Sequence, residues 1–264
     1  MSQPLKLLVI GGVAAGPKAA ARARRLDPEA EITIIEKDTA LSYAGCGMPY
    51  YIGGWVDDVH ELMATPIGAL RDPAFFADVK GIKVRNRTEA ISIDRQNKTV
   101  LVRSLETGEE ENLPYDKLVI ATGADPIEPP IPGVGLKNVL RLKSLEDAEI
   151  FKSVLNNEAC PYVAIVGGGL IGMEMTEALI ECGRGVTVIE MMPHILAMLD
   201  DDMALQVERH LDDLGVKLMT STRVEEILGN EEGEVVGVRT SAGEVPAELV
   251  LLSVGIKQIG RAHV

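Results

Sequence analysis

Cys46 lies in the run Ser42-Tyr43-Ala44-Gly45-Cys46-Gly47-Met48-Pro49-Tyr50, shortly after an acid, Glu36. Gly45 and Gly47 flank the sulfur without side chains, so a planar ring can approach the backbone there. Pro49 suits the first turn of a short helix, which puts Cys46 near its N-terminus. That position favours the thiolate, the form that attacks a disulfide sulfur or passes electrons on. The alternative for any lone cysteine is packing in a core. Cys160 and Cys182 fit that alternative, the first preceding a strand and the second ending a helix beside Gly183, with a separation that suits no metal motif. His60, His194, His210 and His263 have no Ser or Cys partner in sequence. Asp200-Asp201-Asp202 is expected to start a helix, and no metal site is predicted.

Two repeated patterns supply the elements that would position such a sulfur. Leu7-Leu8-Val9-Ile10 runs into Gly11-Gly12-Val13-Ala14-Ala15-Gly16, and Val163-Ala164-Ile165-Val166 runs into Gly167-Gly168-Gly169-Leu170-Ile171-Gly172. Each passes into a predicted helix (residues 17–26 and 170–182) and then a second strand (31–36 and 186–190) that ends in an acid, Glu36 or Glu190. Glu36 follows Gly16 by 20 residues and Glu190 follows Gly172 by 18. At that spacing a carboxylate accepts hydrogen bonds from an adenosine ribose. The glycines admit a pyrophosphate to a helix N-terminus, where free N–H groups and the helix dipole favour anions. Two such units, each with strand, helix and terminal acid in order, predict two dinucleotide sites.

Between them, residues 82–86, 90–93 and 99–103 are β-rich runs separated by polar turns, expected to form an antiparallel meander. Residues 118–120 lead into Ala121-Thr122-Gly123, and a four-proline segment, 125–133, is expected to be a stiff connector. Helices are predicted over 145–156 and 203–214, and strands over 224–228, 235–240 and 249–254. The fold class expected is α/β, with two Rossmann-like (three-layer) dinucleotide-binding domains and an antiparallel β-meander. The expected divisions are a first part of a nucleotide domain at 1–123, the connector at 124–143, a second nucleotide domain at 144–255 and an anomalous tail at 256–264.

Composition narrows the function classes. A net charge of −14 argues against a nucleic-acid or anionic-membrane partner, since no extended basic patch offsets it. No run approaches the ~20 apolar residues of a membrane span, and residues 1–10 carry no cleavage-like site. Three widely separated cysteines form no disulfide framework, so a cytoplasmic setting is expected.

The motifs together resemble the FAD-dependent pyridine nucleotide-disulfide oxidoreductases, in particular the single-cysteine branch of CoA-disulfide reductase, NADH-dependent persulfide reductase and NADH oxidase or peroxidase. The resemblance covers residues 11–16 with Glu36, residues 42–50, Tyr115-Asp116 leading to Ala121-Thr122-Gly123, and residues 167–172 with Glu190. It implies FAD held by Gly11, Gly12, Val13, Ala14, Ala15, Gly16, Glu36, Lys37, Ser42, Ala121, Thr122 and Gly123. The nicotinamide cofactor would be held by Gly167, Gly169, Leu170, Ile171, Gly172 and Glu190. It further implies electrons passing from NAD(P)H through FAD to Cys46. Val13 departs from the pattern at its second glycine, and Gly45 stands where the CoA branch often has Asn. No second Cys lies near Cys46, which sets the chain apart from relatives with a paired cysteine.

The sulfur's substrate is expected to be a small thiol or disulfide, and the CoA branch of the resemblance implies one linked to CoA. Lys18, Arg22 and Arg25 fall on one helix face, and with Lys80 they match positions at which the CoA branch holds phosphates; a solvated face is the alternative. Glu190 followed by Met191-Met192-Pro193, with no Arg, favours NADH, with NADPH possible. The rival chemistry is oxygen or peroxide reduction through a Cys46 sulfenate. A rival of another class is a non-catalytic nucleotide-binding fragment or redox sensor. After Gly255 the chain departs from the resemblance, and its last six residues read like translated adapter sequence. A C-terminal truncation is therefore expected, with the remaining FAD segment and a dimerisation domain missing, the full-length form a homodimer and FAD binding weakened.

Overall fold

The computed structural model describes residues 3–156 and 160–259. Along the chain come β1 (Lys6–Ile10), α1 (Ala15–Leu26) and β2 (Glu31–Ile35), then a 3-10 turn at Gly45–Gly47 that runs into α2 (Met48–Ile52). A second 3-10 turn, Val59–Met63, precedes α3 (Pro73–Lys80), β3 (Lys83–Arg85), β4 (Thr88–Asp94), β5 (Thr99–Ser104), β6 (Glu110–Pro114) and β7 (Lys117–Ile120). There follow β8 (Ala124–Pro126), β9 (Val139–Leu140), α4 (Leu145–Leu155), β10 (Tyr162–Val166), α5 (Leu170–Glu181), β11 (Gly185–Ile189) and α6 (Asp201–Asp213). The chain closes through β12 (Lys217–Met219), β13 (Val224–Gly229), β14 (Val235–Thr240), β15 (Gly243–Pro246), β16 (Leu249–Leu252) and β17 (Ile256–Gln258). Among the described residues no helix is long and apolar enough to cross a membrane.

The described residues divide into two compact units, one of residues 3–44, 60–124 and 258–259, the other of residues 45–59, 125–156 and 160–257. The first holds a parallel sheet in the order β3-β2-β1-β7 and an antiparallel meander β4-β5-β6. The second holds a parallel sheet β12-β11-β10-β16-β9 and a meander β13-β14-β15. In both, the central strands are near-continuous apolar runs because a parallel sheet is covered on both faces. Val9, Ala164, Ile165 and all of β16 are buried accordingly.

The structure revises three expectations. Residues 82–86 are not a meander strand: β3 pairs in parallel with β2, from Thr33 opposite Lys83 to Ile35 opposite Arg85. The third meander strand is β6, Glu110–Pro114, whose polar sequence hides it; it pairs with β5 at a mostly exposed edge. The proline-rich segment does more than connect, since Ile131, Val134, Leu136 and Val139 pack on the second core and β9 adds a strand beside β16. Of the tail at 256–264, β17 pairs with β8, and residues 260–264 lie outside the described residues.

Candidate functional site

Each phosphate loop is a place where backbone meets backbone. At Gly11 φ is +110°, and a Cβ there would stand 2.1 Å from the Ala121 carbonyl oxygen. At Gly167 φ is +108°, and a Cβ would stand 2.6 Å from the Ser253 carbonyl oxygen. A Cβ on Gly16 would meet the Gly11 oxygen at 1.9 Å, and one on Gly172 the Gly167 oxygen at 2.2 Å, so only glycine lets helix and loop close. The third loop position is different. A Cβ at Gly169 meets nothing within 4 Å, which explains how its counterpart in the first unit can be Val13.

The two acids act as latches. In the first unit Glu36 is buried, and its carboxylate accepts the Gly12 N–H at 2.5 Å and the Asp38 N–H at 2.9 Å. In the second, Glu190 accepts the Gly168 N–H at 2.6 Å and the Met192 N–H at 2.7 Å. Each acid thus ties its glycine-rich loop to the end of the second strand and still has lone pairs to spare. The duplication runs further than the glycines show. Ser42 and Leu196, each six residues after its acid, both take positive φ (48° and 49°) and donate their N–H to the carbonyls of Gly12 and Gly168. Thr88 and Thr222 are both buried and donate their N–H to the carbonyls of Glu36 and Glu190. Gly168, Ser42's counterpart Leu196 and the two threonines were not legible as a set from the glycine pattern; for Leu196 the shared six-residue spacing after each acid was the available signal, and the threonines share no such spacing.

The helices that follow the two glycine-rich loops, α1 and α5, start open. α3 is capped by Asp72, whose carboxylate accepts the Phe75 N–H at 2.7 Å, and α4 by a Ser144–Asp147 capping box. α6 has Asp201 and Asp202 in its first turn, although Asp200 makes no capping bond. α1 and α5 have neither side-chain cap nor acid, which leaves their N-terminal N–H groups for an anion.

In the first unit a cavity of about 180 Å³ opens between the loop and the meander, lined by Gly11, Glu36, Lys37, Thr88, Thr122 and Ile259 among others. The Thr122 hydroxyl is buried there with no hydrogen-bond partner among the described residues. A buried polar atom without a partner is costly, and a polar ligand in the cavity would satisfy it. Ile259 was not expected here; its N–H donates to the Gly123 carbonyl at 3.0 Å.

Of the cations, Lys18, Arg22 and Arg25 are exposed on α1, and none forms an ion pair among the described residues. Lys80 ends α3 with its ammonium 5.6 Å from the Phe75 ring centroid. Arg24, between the positions of that pattern, reaches the Gly81 carbonyl at 2.6 Å, so the last turn of α1 abuts the residue after Lys80.

Cys46 is exposed, in the 3-10 turn before α2, and Pro49 sits in the first turn of that helix. Its segment interrupts the repeat. In the second unit only residues 197–200 separate Leu196 from the crossover helix α6, whereas residues 43–72 separate Ser42 from the corresponding α3. The cysteine rides on that insertion, and Gly45–Val59 packs as part of the second unit. Cys160 is buried and Cys182 half-buried, and burial raises the pKa of both thiols. Both therefore stay protonated at neutral pH. Iodoacetamide at pH 7.5 is expected to label Cys46 more than about tenfold faster than either, measured by peptide mass spectrometry; comparable rates at Cys160 would contradict the burial pattern.

Known proteins share this fold. The chain is 34% identical to an NADH oxidase of Enterococcus faecalis over 255 residues, covering 96% of this chain and 55% of that protein. It is 37% identical to an NAD(P)H coenzyme A polysulfide/persulfide reductase of Pyrococcus horikoshii, covering 96% of this chain and 54% of the relative. The solved structure of a NAD-dependent persulfide reductase from A. fulgidus superposes with a TM-score of 0.91 at 44% identity, covering 96% of this chain and 46% of that one. The chain thus spans about half the length of the relatives it matches. With residues 5–260 matching a family of FAD- and NAD(P)H-dependent oxidoreductases, the chain belongs to the pyridine nucleotide-disulphide oxidoreductases.

Proposed function

We propose that the protein passes electrons from NADH through FAD and Cys46 to a CoA-type disulfide or persulfide. The observation that carries this is the exposed Cys46 on an insertion into a nucleotide-binding unit, with its two fellow cysteines protonated and withdrawn. The orphaned Thr122 hydroxyl, the open α1 N-terminus and the Glu36 latch fit FAD in the first unit. Gly167, Gly169, Leu170, Ile171, Gly172 and Glu190 fit the nicotinamide dinucleotide in the second. When bound, FAD supplies the two-electron relay between NADH and sulfur. The Cys46 thiolate attacks one sulfur of the substrate and expels the other as thiolate. Two electrons and a proton originating from NADH then reduce the mixed disulfide, releasing the second thiol and restoring Cys46. Lys18, Arg22, Arg25 and Lys80 would draw in the phosphates of a CoA-linked substrate.

The test is a screen of the FAD-loaded protein with NADH against CoA disulfide, CoA persulfide, oxygen and peroxide. Preferred turnover of the sulfur substrates supports the proposal. Preferred turnover of oxygen or peroxide would replace it with sulfenate chemistry at Cys46; the Enterococcus relative is an NADH oxidase. No turnover of any would leave a binding or sensing role.

Glu190 should set the nucleotide. Met191 beside it is exposed, which leaves room for a longer side chain. Replacing Glu190 by serine together with Met191→Arg removes the repulsion of a 2′-phosphate and adds a partner for it. The kcat/KM ratio of NADPH to NADH should rise by about tenfold or more. NADH efficiency should fall as well, because the Gly168 latch is lost. An unmoved ratio would mean that Glu190 does not face the ribose.

A further inference from the structure

The helix that follows Cys46 cannot hold itself. α2 has five residues and no side-chain cap at its N-terminus, and a single turn of helix is unstable in water without tertiary contacts. The grips come at its other end. The Lys152 ammonium, reaching from α4, lies 3.9 Å from the Tyr51 ring centroid and donates to the Val56 carbonyl at 3.5 Å. The Cys182 thiol, just past the end of α5, donates to the Ile52 carbonyl at 3.5 Å. Gly53 lets α5 approach, since a Cβ there would stand 3.3 Å from the Ala178 Cα. Burial, then the carboxylates of Glu149 and Asp58, raise the Tyr51 pKa. The ring therefore stays neutral and its face stays available to a cation. Cys46, at the opposite end, is exposed.

We propose that Lys152 is a positioning residue for Cys46: by gripping Tyr51 and the Val56 carbonyl it fixes the C-terminal turn of α2, and the helix so fixed sets where the sulfur is presented. The consequence for turnover rests on Cys46 being the reacting sulfur, but the grip itself can be measured without substrate. Lysine suits the task because one ammonium serves both contacts, a cation over a ring and a donor to a backbone oxygen. Arginine can serve both as well.

The experiment compares the parent with Lys152→Met, Tyr51→Leu, the double variant and Lys152→Arg. Amide hydrogen exchange over residues 47–53 and iodoacetamide labelling of Cys46 are read by peptide mass spectrometry, with buried Cys160 as the internal control for global folding. Lys152→Met and Tyr51→Leu should each speed exchange in α2 by about tenfold and change the Cys46 labelling rate by about threefold or more. Cys160 should stay protected, the double variant should add nothing, and Lys152→Arg should return both readouts to parent values. Parent-like exchange and labelling in Lys152→Met and Tyr51→Leu would overturn the proposal. So would loss of Cys160 protection in both, which would make the role one of general folding. In the FAD-loaded protein, Lys152→Met should lower kcat for disulfide reduction and leave KM for NADH unchanged. A parent that reduces no disulfide would sink the functional assignment while leaving the exchange and labelling result to stand or fall by itself.

Discussion

Cys46→Ser is expected to lower NADH-dependent disulfide reduction by on the order of 10³ or more while leaving NADH-to-ferricyanide electron transfer near the parent rate. A serine hydroxyl is no nucleophile toward sulfur at neutral pH, and the hydride step needs no sulfur. The two half-reactions should therefore separate in one variant. Since Cys46 is exposed, the substitution should not disturb folding, and labelling of Cys160 should remain slow. Disulfide turnover at near the parent rate in Cys46→Ser would end the proposal that this sulfur carries the electrons.

Gly11→Ala should be among the most damaging single methyls in the first unit. Its φ of +110° is strained for any residue with a Cβ, and the new carbon would stand 2.1 Å from the Ala121 oxygen, where backbone on both sides leaves no flexible side chain to yield. Backbone strain and overpacking each cost about 1–3 kcal/mol, so the variant should lose about 3 kcal/mol or more by urea denaturation. It should also lose FAD, because the loop and α1 would be forced apart. Gly169→Ala is the control: a Cβ there meets nothing within 4 Å, and stability should change by less than about 1 kcal/mol. Equal losses in both variants would show that the φ and contact distances do not govern these loops.

Much of this protein is legible in its residues because parallel strands buried on both faces must be apolar throughout. β1, β10 and β16 could be found from that alone, and the glycines and acids after them mark the phosphate loops. Helix α3 went unread: Asp72 caps its start and Gly81, with φ of 61°, ends it, but it lacks the long apolar period that draws attention to α5. Strand β6 was hidden because Glu110–Pro114 lies at an exposed edge, where only β5 pairing holds it. β3 was misplaced because three residues of strand read alike in a parallel or an antiparallel sheet.

The types of residue that do chemistry, and their order, come from sequence: a cysteine between glycines, two loops, two acids. Where those groups point was decided by contacts far apart in the chain. Glu36 and Glu190 look like ribose ligands from spacing, yet in the fold each first holds its own loop, because a carboxylate beside buried backbone N–H groups must satisfy them. Likewise nothing in the run around Cys46 tells that its one-turn helix is gripped by Lys152 and Cys182, through contacts that span 96 and 130 residues. A helix too short to stand alone takes its position from whatever it packs against, and that partner is fixed only when the whole chain has folded.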